Sequence, residues 1–181
     1  RAKFESDPTV SISGAELSQV SDLADDSAVE AIQVTDSAEA VKAALADLAA
    51  QSKVTEITLT DPSVALELTA QDYTDSAAVF ALVKAGQYQV ELSEVSATDA
   101  ATYASDTHVA AMAVNDSSSA VAAQFDTLAT ATNLTAITLS DEGGTLALSS
   151  TQILANAETL AKFTTDYALS ATDVALTDLA E

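Results

Sequence analysis

The 181-residue sequence contains no cysteine, no tryptophan and one histidine. The absence of cysteine excludes disulfide staples and thiolate chemistry, and with a single histidine the usual ligand sets of zinc sites cannot be assembled. Aromatic residues make up only 4% of the chain, although 48% of its residues are apolar. A core built from this composition is expected to be thin, with alanine doing much of the filling, which suits coils that pack only against their neighbours.

Basic residues are also scarce, with six Lys and Arg against 28 Asp and Glu and a net charge of −22. This charge repels phosphate backbones and anionic lipid head groups, so binding to nucleic acid or to a membrane surface is not expected. It suits either a solubilising coat or loose association with divalent cations. No apolar run reaches the roughly 18 residues of a membrane span, so no membrane insertion is expected, and residues 1–8 contain no hydrophobic signal region.

One eight-residue pattern occurs four times, at 29–36, 54–61, 109–116 and 134–141. Each copy reads apolar, two spacers, apolar, spacer, apolar, spacer, and then Asp, with one Asn in a spacer position. The second and third apolar residues are two apart, so in an extended chain they point to the same side. Each copy is therefore predicted to be a short strand buried on one face. The pattern resembles the strand of leucine-rich repeats.

The copies repeat at long range, with Asp36 and Asp61 returning about 80 residues later as Asp116 and Asp141. We predict a first repeat over about 10–89, a second over about 90–169 and the start of a further repeat over 170–181. Together they form a single repeat solenoid over 10–181. Residues 1–9 are interpreted as a leader outside the repeats, either disordered or introduced by cloning.

Helical spacing of apolar residues predicts helices between the strands, and strand-helix-strand connections of this length favour parallel strands with right-handed crossovers. The expected fold is thus an α/β right-handed parallel strand-helix solenoid with two copies of the 80-residue repeat. It carries no distinct C-terminal cap, which is typical of a segment of a longer array. The predicted helices cover about 15–27, 71–85, 97–107 and 151–164, and two more follow Asp36 and Asp116.

Short second strands are predicted over residues 64–69 and 145–149, each following a turn after the main strand. Alternating leucines mark both segments. Each segment is compatible with a hairpin or with a bend between parallel strands, and the sequence does not separate the two arrangements.

Two features carry candidate chemistry. Stacking could bring Asp36, Asp61, Asp116 and Asp141 together as a carboxylate ladder that holds Ca²⁺, the only cofactor suggested. The favoured interpretation is that Asp36 and Asp116 cap helices while Asp61 and Asp141 start turns. His108 is the only histidine, and no Gly-x-Ser-x-Gly elbow accompanies it. We interpret it as a surface residue at a helix end, and no other constellation predicts an enzyme.

The segments 113–128, 134–141 and 167–174 resemble the tandem repeats of very large secreted bacterial surface proteins. Those proteins are adhesin-like, are often exported by type I secretion and frequently carry calcium-binding glycine-rich repeats. The resemblance implies an extracellular or cell-surface location in bacteria.

The predicted function is a structural or adhesive repeat segment, acting as a rigid acidic spacer or fibre element. Its expected partners are neighbouring repeats of the same parent chain and a cell-surface glycan or protein. The alternative is a binding module that recognises a polysaccharide or protein through an exposed face, with Tyr73 and Tyr88 as the available aromatic contacts.

Overall fold

The computed structural model describes residues 9–141 and 143–174. The predicted leader, except for its last residue, and the part of the predicted third repeat after residue 174 lie outside these ranges. The strands are β1 (Val10–Ala15), β2 (Val29–Asp36), β3 (Val54–Leu59), β4 (Leu66–Thr69), β5 (Val90–Val95), β6 (Val109–Asp116), β7 (Leu134–Leu139), β8 (Thr145–Ser149) and β9 (Ala168–Thr172). The helices are α1 (Leu17–Asp25), α2 (Ala38–Ala43), α3 (Leu45–Ala49), α4 (Ala70–Asp75), α5 (Ala77–Phe80), α6 (Ala100–Ser105), α7 (Ser118–Ala123), α8 (Phe125–Thr130), α9 (Ser150–Ala155) and α10 (Ala157–Leu160).

The α/β fold class is confirmed. The strand pairs β1–β2, β2–β3, β5–β6, β6–β7 and β8–β9 are all parallel, and a helix or helices lie between the members of each of these pairs in the chain. The chain divides into two compact units. Unit 1 comprises residues 1–66 and 72–89, and unit 2 comprises residues 67–71 and 90–181.

Unit 1 is organised around the three-stranded sheet β1-β2-β3. Its register places Val10 opposite Val29 and Ile32 opposite Val54. One face of β2 and one face of β3 are buried, as the apolar alternation predicts, whereas only Ala15 is buried in β1. Helices α2 and α3 contribute further apolar residues. The buried side chains of this core are Ile32, Val34, Val41, Leu45, Leu48 and Ile57.

Unit 2 contains the sheet β4-β5-β6-β7 and the pair β8–β9. Its register places Val90 opposite Val109 and Met112 opposite Leu134, which are the unit 1 pairs advanced by 80 residues. The strand pairing therefore repeats with the same 80-residue period as the sequence. The buried side chains include Val90, Met112, Val114, Val121, Phe125, Leu128 and Ile137.

The strands β1, β5 and β9 are equivalent in the repeat, and each has a residue with a left-handed backbone conformation at or near its end. Gly14 has φ +72°, and Glu94 and Asp173 each have φ +56°. In β1 and β5 a shift of the pairing register accompanies this residue, so the extra residue forms a bulge. The same backbone feature therefore marks β1, β5 and the end of β9.

The helices predicted over 71–85 and 151–164 are shorter than expected. Each is two short helices, and Val83 and Phe163, which the helical pattern assigned to the helix faces, instead form parallel bridges with Ile57 and Ile137. The N–H of Ile57 donates to the carbonyl of Leu82 over 2.8 Å. The exposed edges of β3 and β7 offer backbone partners, and pairing with them overrides the local helical spacing.

The predicted short strands form as β4 and β8, but neither makes a hairpin with the strand before it. β3 and β4 belong to different sheets, as do β7 and β8. β8 pairs in parallel with β9. The turns after β3 and β7 are therefore bends between sheets.

Candidate functional site

The four strand-end aspartates each accept hydrogen bonds from backbone N–H groups. In unit 1, Asp36 Oδ1 accepts from Ser37 N at 2.8 Å and Asp36 Oδ2 accepts from Leu17 N at 3.0 Å. Asp61 Oδ1 accepts from Ala38 N at 2.7 Å. Leu17 and Ala38 are the first residues of α1 and α2, so each carboxylate satisfies a helix N–H that has no intrahelical partner.

Unit 2 repeats this arrangement with equivalent residues. Asp116 Oδ1 accepts from Ser117 N at 2.7 Å and Asp116 Oδ2 accepts from Ala97 N at 3.0 Å. Asp141 Oδ1 accepts from Ser118 N at 2.7 Å, and Asp141 Oδ2 accepts from the Ser118 hydroxyl at the same distance. We call the four residues Asp36, Asp61, Asp116 and Asp141 the aspartate ladder.

Parallel register explains why these hydrogen bonds form within each unit. The carboxyl ends of adjacent parallel strands meet at one edge of the sheet, so the Asp that ends one strand lies beside the backbone that leaves the preceding strand. Backbone bonds hold the same alignment, with Thr60 N donating to Asp36 O at 2.9 Å and Ser140 N donating to Asp116 O at 2.9 Å. Each of these carboxylates therefore bonds a backbone N–H in the segment that follows the preceding strand.

Sequence reasoning identified the Asp positions but not their partners. Cap and turn roles were expected, and Ser37 Oγ does accept from Ala40 N, while Asp141 O accepts from Gly144 N at 2.7 Å. The long-range donors Leu17, Ala38, Ala97 and Ser118 were missed. The signal that could have found them is the shared spacing, since each donor precedes its Asp by 19 or 23 residues in both units.

Gly144 completes the turn beside Asp141. A Cβ at position 144 would lie 2.7 Å from Asp141 Oδ2 and 2.8 Å from Asp141 O. Because the second contact is with backbone, a side chain there would displace the carboxylate or open the turn. The glycine therefore keeps Asp141 within reach of Ser118.

The hydroxyl of Ser118, followed by its N–H, holds the pKa of Asp141 below the ordinary carboxyl value, although desolvation opposes the shift. The folded-state pKa lies below the unfolded one. The resulting stabilisation is therefore present above the unfolded pKa and is lost as the pH falls through the folded pKa. Unit 1 has no hydroxyl at this place, since Ala38 is the equivalent of Ser118.

Replacing Ser118 with alanine is expected to raise the pKa of Asp141 towards its ordinary value, because the carboxylate loses its hydroxyl donor. The acid limb of the stability curve should move upward in pH in the same variant. Carboxyl ¹³C NMR titration measures the pKa directly. Ser119→Ala, which removes a neighbouring hydroxyl bonded to Ser117, is the control. An unchanged Asp141 titration in Ser118→Ala would contradict the assignment.

Calcium binding by the ladder stays a prediction. Each carboxylate is engaged by N–H donors, and in the part of the chain that the structure describes, no group of three or more His, Cys, Asp and Glu residues is placed to hold a metal ion. A bound cation would have to share carboxylate oxygens with these donors, because Ca²⁺ takes six to eight oxygen ligands. In the structure the four carboxylates act as hydrogen-bond acceptors for backbone N–H groups.

His108 belongs to a local turn. Asp106 Oδ1 accepts from His108 N at 2.9 Å and lies 3.3 Å from His108 Nδ1. Unit 1 makes the same turn with Asp26 and Ala28, again at 2.9 Å. The turn therefore forms without an imidazole.

The two tyrosines considered for ligand binding contribute to a ring cluster in unit 1. Tyr88 is buried and stacks on Phe80 with ring centroids 4.9 Å apart, and half-buried Tyr73 lies 5.2 Å from the same ring. The suggestion that Tyr88 offers an exposed platform is wrong, because packing against Phe80 covers its ring.

A shallow cleft of about 270 Å³ crosses the outer face of the unit 2 sheet. Glu67, Glu91, Ser93, Ala113 and Thr135 line it, and no aromatic side chain takes part. Leu68, Leu92 and Ala111 complete the lining. Aliphatic and small side chains therefore share the cleft with two carboxylates, and the cleft offers a ligand no aromatic surface.

Comparison with protein-family models, with curated proteins and with solved structures finds no match to this chain. Among residues 9–141 and 143–174, no helix has the length and apolar character needed to cross a membrane.

Proposed function

We propose that this chain is a non-enzymatic structural or adhesive repeat segment of an extracellular bacterial surface protein. In this proposal it is a right-handed parallel strand-helix solenoid of two 80-residue repeats, and it acts as a rigid acidic spacer or fibre element. The aspartate ladder is the observation that carries the proposal. A carboxylate that bonds the N–H of the preceding coil is a device for stacking coils.

The core supports the same function. Large side chains such as Ile32, Ile57 and Ile137 are fully buried within short coils, so each coil depends on its neighbours for burial. An array of this kind gains length by adding repeats. Its mechanism is geometric, because it holds other parts of a parent chain at a set distance.

The net charge of −22 supports a solvated spacer. Like charges along an array keep neighbouring arrays apart and soluble. Two of the six basic residues bond backbone carbonyls, since Lys53 Nζ donates to Asp26 O and Lys162 Nζ donates to Leu134 O, each at 2.7 Å.

Small-angle scattering on tandem chains tests the spacer proposal. Chains carrying one, two and three additional copies of residues 90–169 are expected to gain equal increments in maximum dimension, because stacked coils add length linearly. A matched series with a flexible Gly/Ser linker between the copies is the control, and its dimension should grow only as a power of copy number below one. If both series grew alike, the rigid spacer would be excluded.

A further inference from the structure

We propose that copies of this chain associate head to tail, with β8 of one copy pairing with β1 of a second copy. The second copy would take the place that β9 occupies on β8. The inference rests on the coil stacking of the proposed function, and it names the partner as the chain itself.

The sheet β4-β5-β6-β7 is the template for this contact. In it β5 has a strand on each side, and its inward residues Val90, Leu92 and Val95 are all buried. The pair β4–β5 is therefore the model for the proposed pairing, in which β8 is equivalent to β4 and β1 is equivalent to β5.

β1 is equivalent to β5 in the repeat. Val10 and Ile12 stand 80 residues before Val90 and Leu92, and Gly14 shares the left-handed conformation of Glu94. Among the described residues β1 pairs only with β2, and Val10 is 47% exposed. The free edge of β1 therefore lacks a strand of the β4 type.

β8 supplies a strand of that type. Leu146 and Leu148 stand 80 residues after Leu66 and Leu68, and all four side chains are buried. β8 currently pairs with β9, in register from Thr145 to Ser149. The edge that a β1 strand needs is therefore present at the other end of the described chain.

β9 occupies this edge weakly. Every residue of β9 is exposed, and Leu169, the equivalent of Val90, is 44% exposed. At the next inward position β9 has Ala171, where β5 has Leu92 and β1 has Ile12. Because β9 buries less apolar surface, it is the strand most easily replaced.

A second copy would bring more than one strand. Its β1 is already paired with β2, and β2 with β3, so exchange gives the order β8, β1, β2, β3, which matches β4-β5-β6-β7. The β8–β9 register places Ala147 opposite Ser170, and Ser11 is the β1 equivalent of Ser170. Ala147 and Ser11 are therefore expected to face each other across the junction.

The junction lacks one local repulsion that is present between β4 and β5. The residues of β4 and β5 equivalent to Ala147 and Ser11 are Glu67 and Glu91, which line one cleft and carry like charges. The junction between copies lacks that repulsive pair. The contact joins two different edges, so it does not close on itself and extends into chains of copies.

Thiol crosslinking tests the predicted register, because the chain has no cysteine of its own. Full-length Ser11→Cys and Ala147→Cys variants, one labelled with ¹⁵N, are mixed under mild oxidation. Adjacent strand positions meet the Cα separation of a disulfide. The mixed disulfide is expected to form roughly tenfold or more faster than in the control mixture of Ala147→Cys with Thr55→Cys, because pairing raises the effective thiol concentration.

Thr55 is exposed but lies on β3, at the opposite edge of the unit 1 sheet from β1, so the control measures random collision. Equal rates in the two mixtures would overturn the inference. The rate of the Ser11 and Ala147 pair should also rise with salt, which screens repulsion between the acidic copies. Circular dichroism checks that each variant keeps the wild-type fold.

Sedimentation velocity of the cysteine-free chain gives a second, independent test. The weight-average sedimentation coefficient should rise with concentration, and Val10→Asp should abolish the rise by placing a charge at the β1 edge. Val64→Asp, at an equally exposed valine outside the named strands, is the matched control. A wild-type chain that stays monomeric throughout would overturn head-to-tail association while leaving the tandem scattering result intact.

Discussion

Replacing Phe125 with alanine is expected to lower the free energy of unfolding by about 3–5 kcal/mol. Phe125 begins α8 and is completely buried, so the truncation removes apolar burial and leaves a cavity. Domains of this size have total stabilities of about 5–15 kcal/mol, so this single change removes a large share. Urea unfolding followed by circular dichroism measures the loss.

The chain provides its own matched control for this substitution. Leu45 occupies the equivalent place in unit 1, where it is buried at the start of α3. Phe125→Leu therefore installs the residue that unit 1 already uses, and we expect it to cost less than half as much as Phe125→Ala. Equal costs for the two variants would show that the site does not depend on the volume of its side chain.

Replacing Asp116 with alanine is expected to cost about 1–3 kcal/mol, because the N–H of Ala97 loses its acceptor. Ala97 is fully buried, so water has little access to the orphaned N–H. Asp116 also accepts from Ser117, and that bond is lost as well. Thermal and urea unfolding should agree on the size of the effect.

The equivalent change in unit 1, Asp36→Ala, should be milder. Leu17 is only half-buried, so water can replace the carboxylate at its N–H. Asp166→Ala, at an exposed position, controls for removing one negative charge from an acidic protein and should leave stability nearly unchanged. The ranking Asp116 above Asp36 above Asp166 is the result to look for, and a reversal of the first two would refute the burial argument.

The sequence alone placed the main strands and the repeat period. An apolar pattern with two positions on one face is a local property, and all four copies of it became buried strands, β2, β3, β6 and β7. The helical face that follows Asp36 was also predicted correctly, whereas Leu154, on the face predicted for 151–164, is 80% exposed. Val41, Leu45 and Leu48 are buried, as the helical spacing predicts, although a break at Ala44 divides their helix into α2 and α3.

The tertiary structure decided which backbone groups meet. Val83 and Phe163 continue a helical spacing in the sequence. In the structure they form parallel bridges with the edges of β3 and β7 instead. The same is true of β4 and β8, which could have folded back as hairpins and instead join other sheets. Local periodicity does not encode these choices, because they depend on which sheet edge is free.

The partners of the aspartate ladder were set in the same way. The sequence placed Asp36, Asp61, Asp116 and Asp141 at or just after the ends of their strands, and the period related them in pairs. Only parallel pairing brought each carboxylate to an N–H that lies 19 or 23 residues earlier in the chain. The physical reason is that a few adjacent residues determine where a strand ends. The hydrogen-bond partner of the aspartate there depends instead on the register between strands that are far apart in sequence.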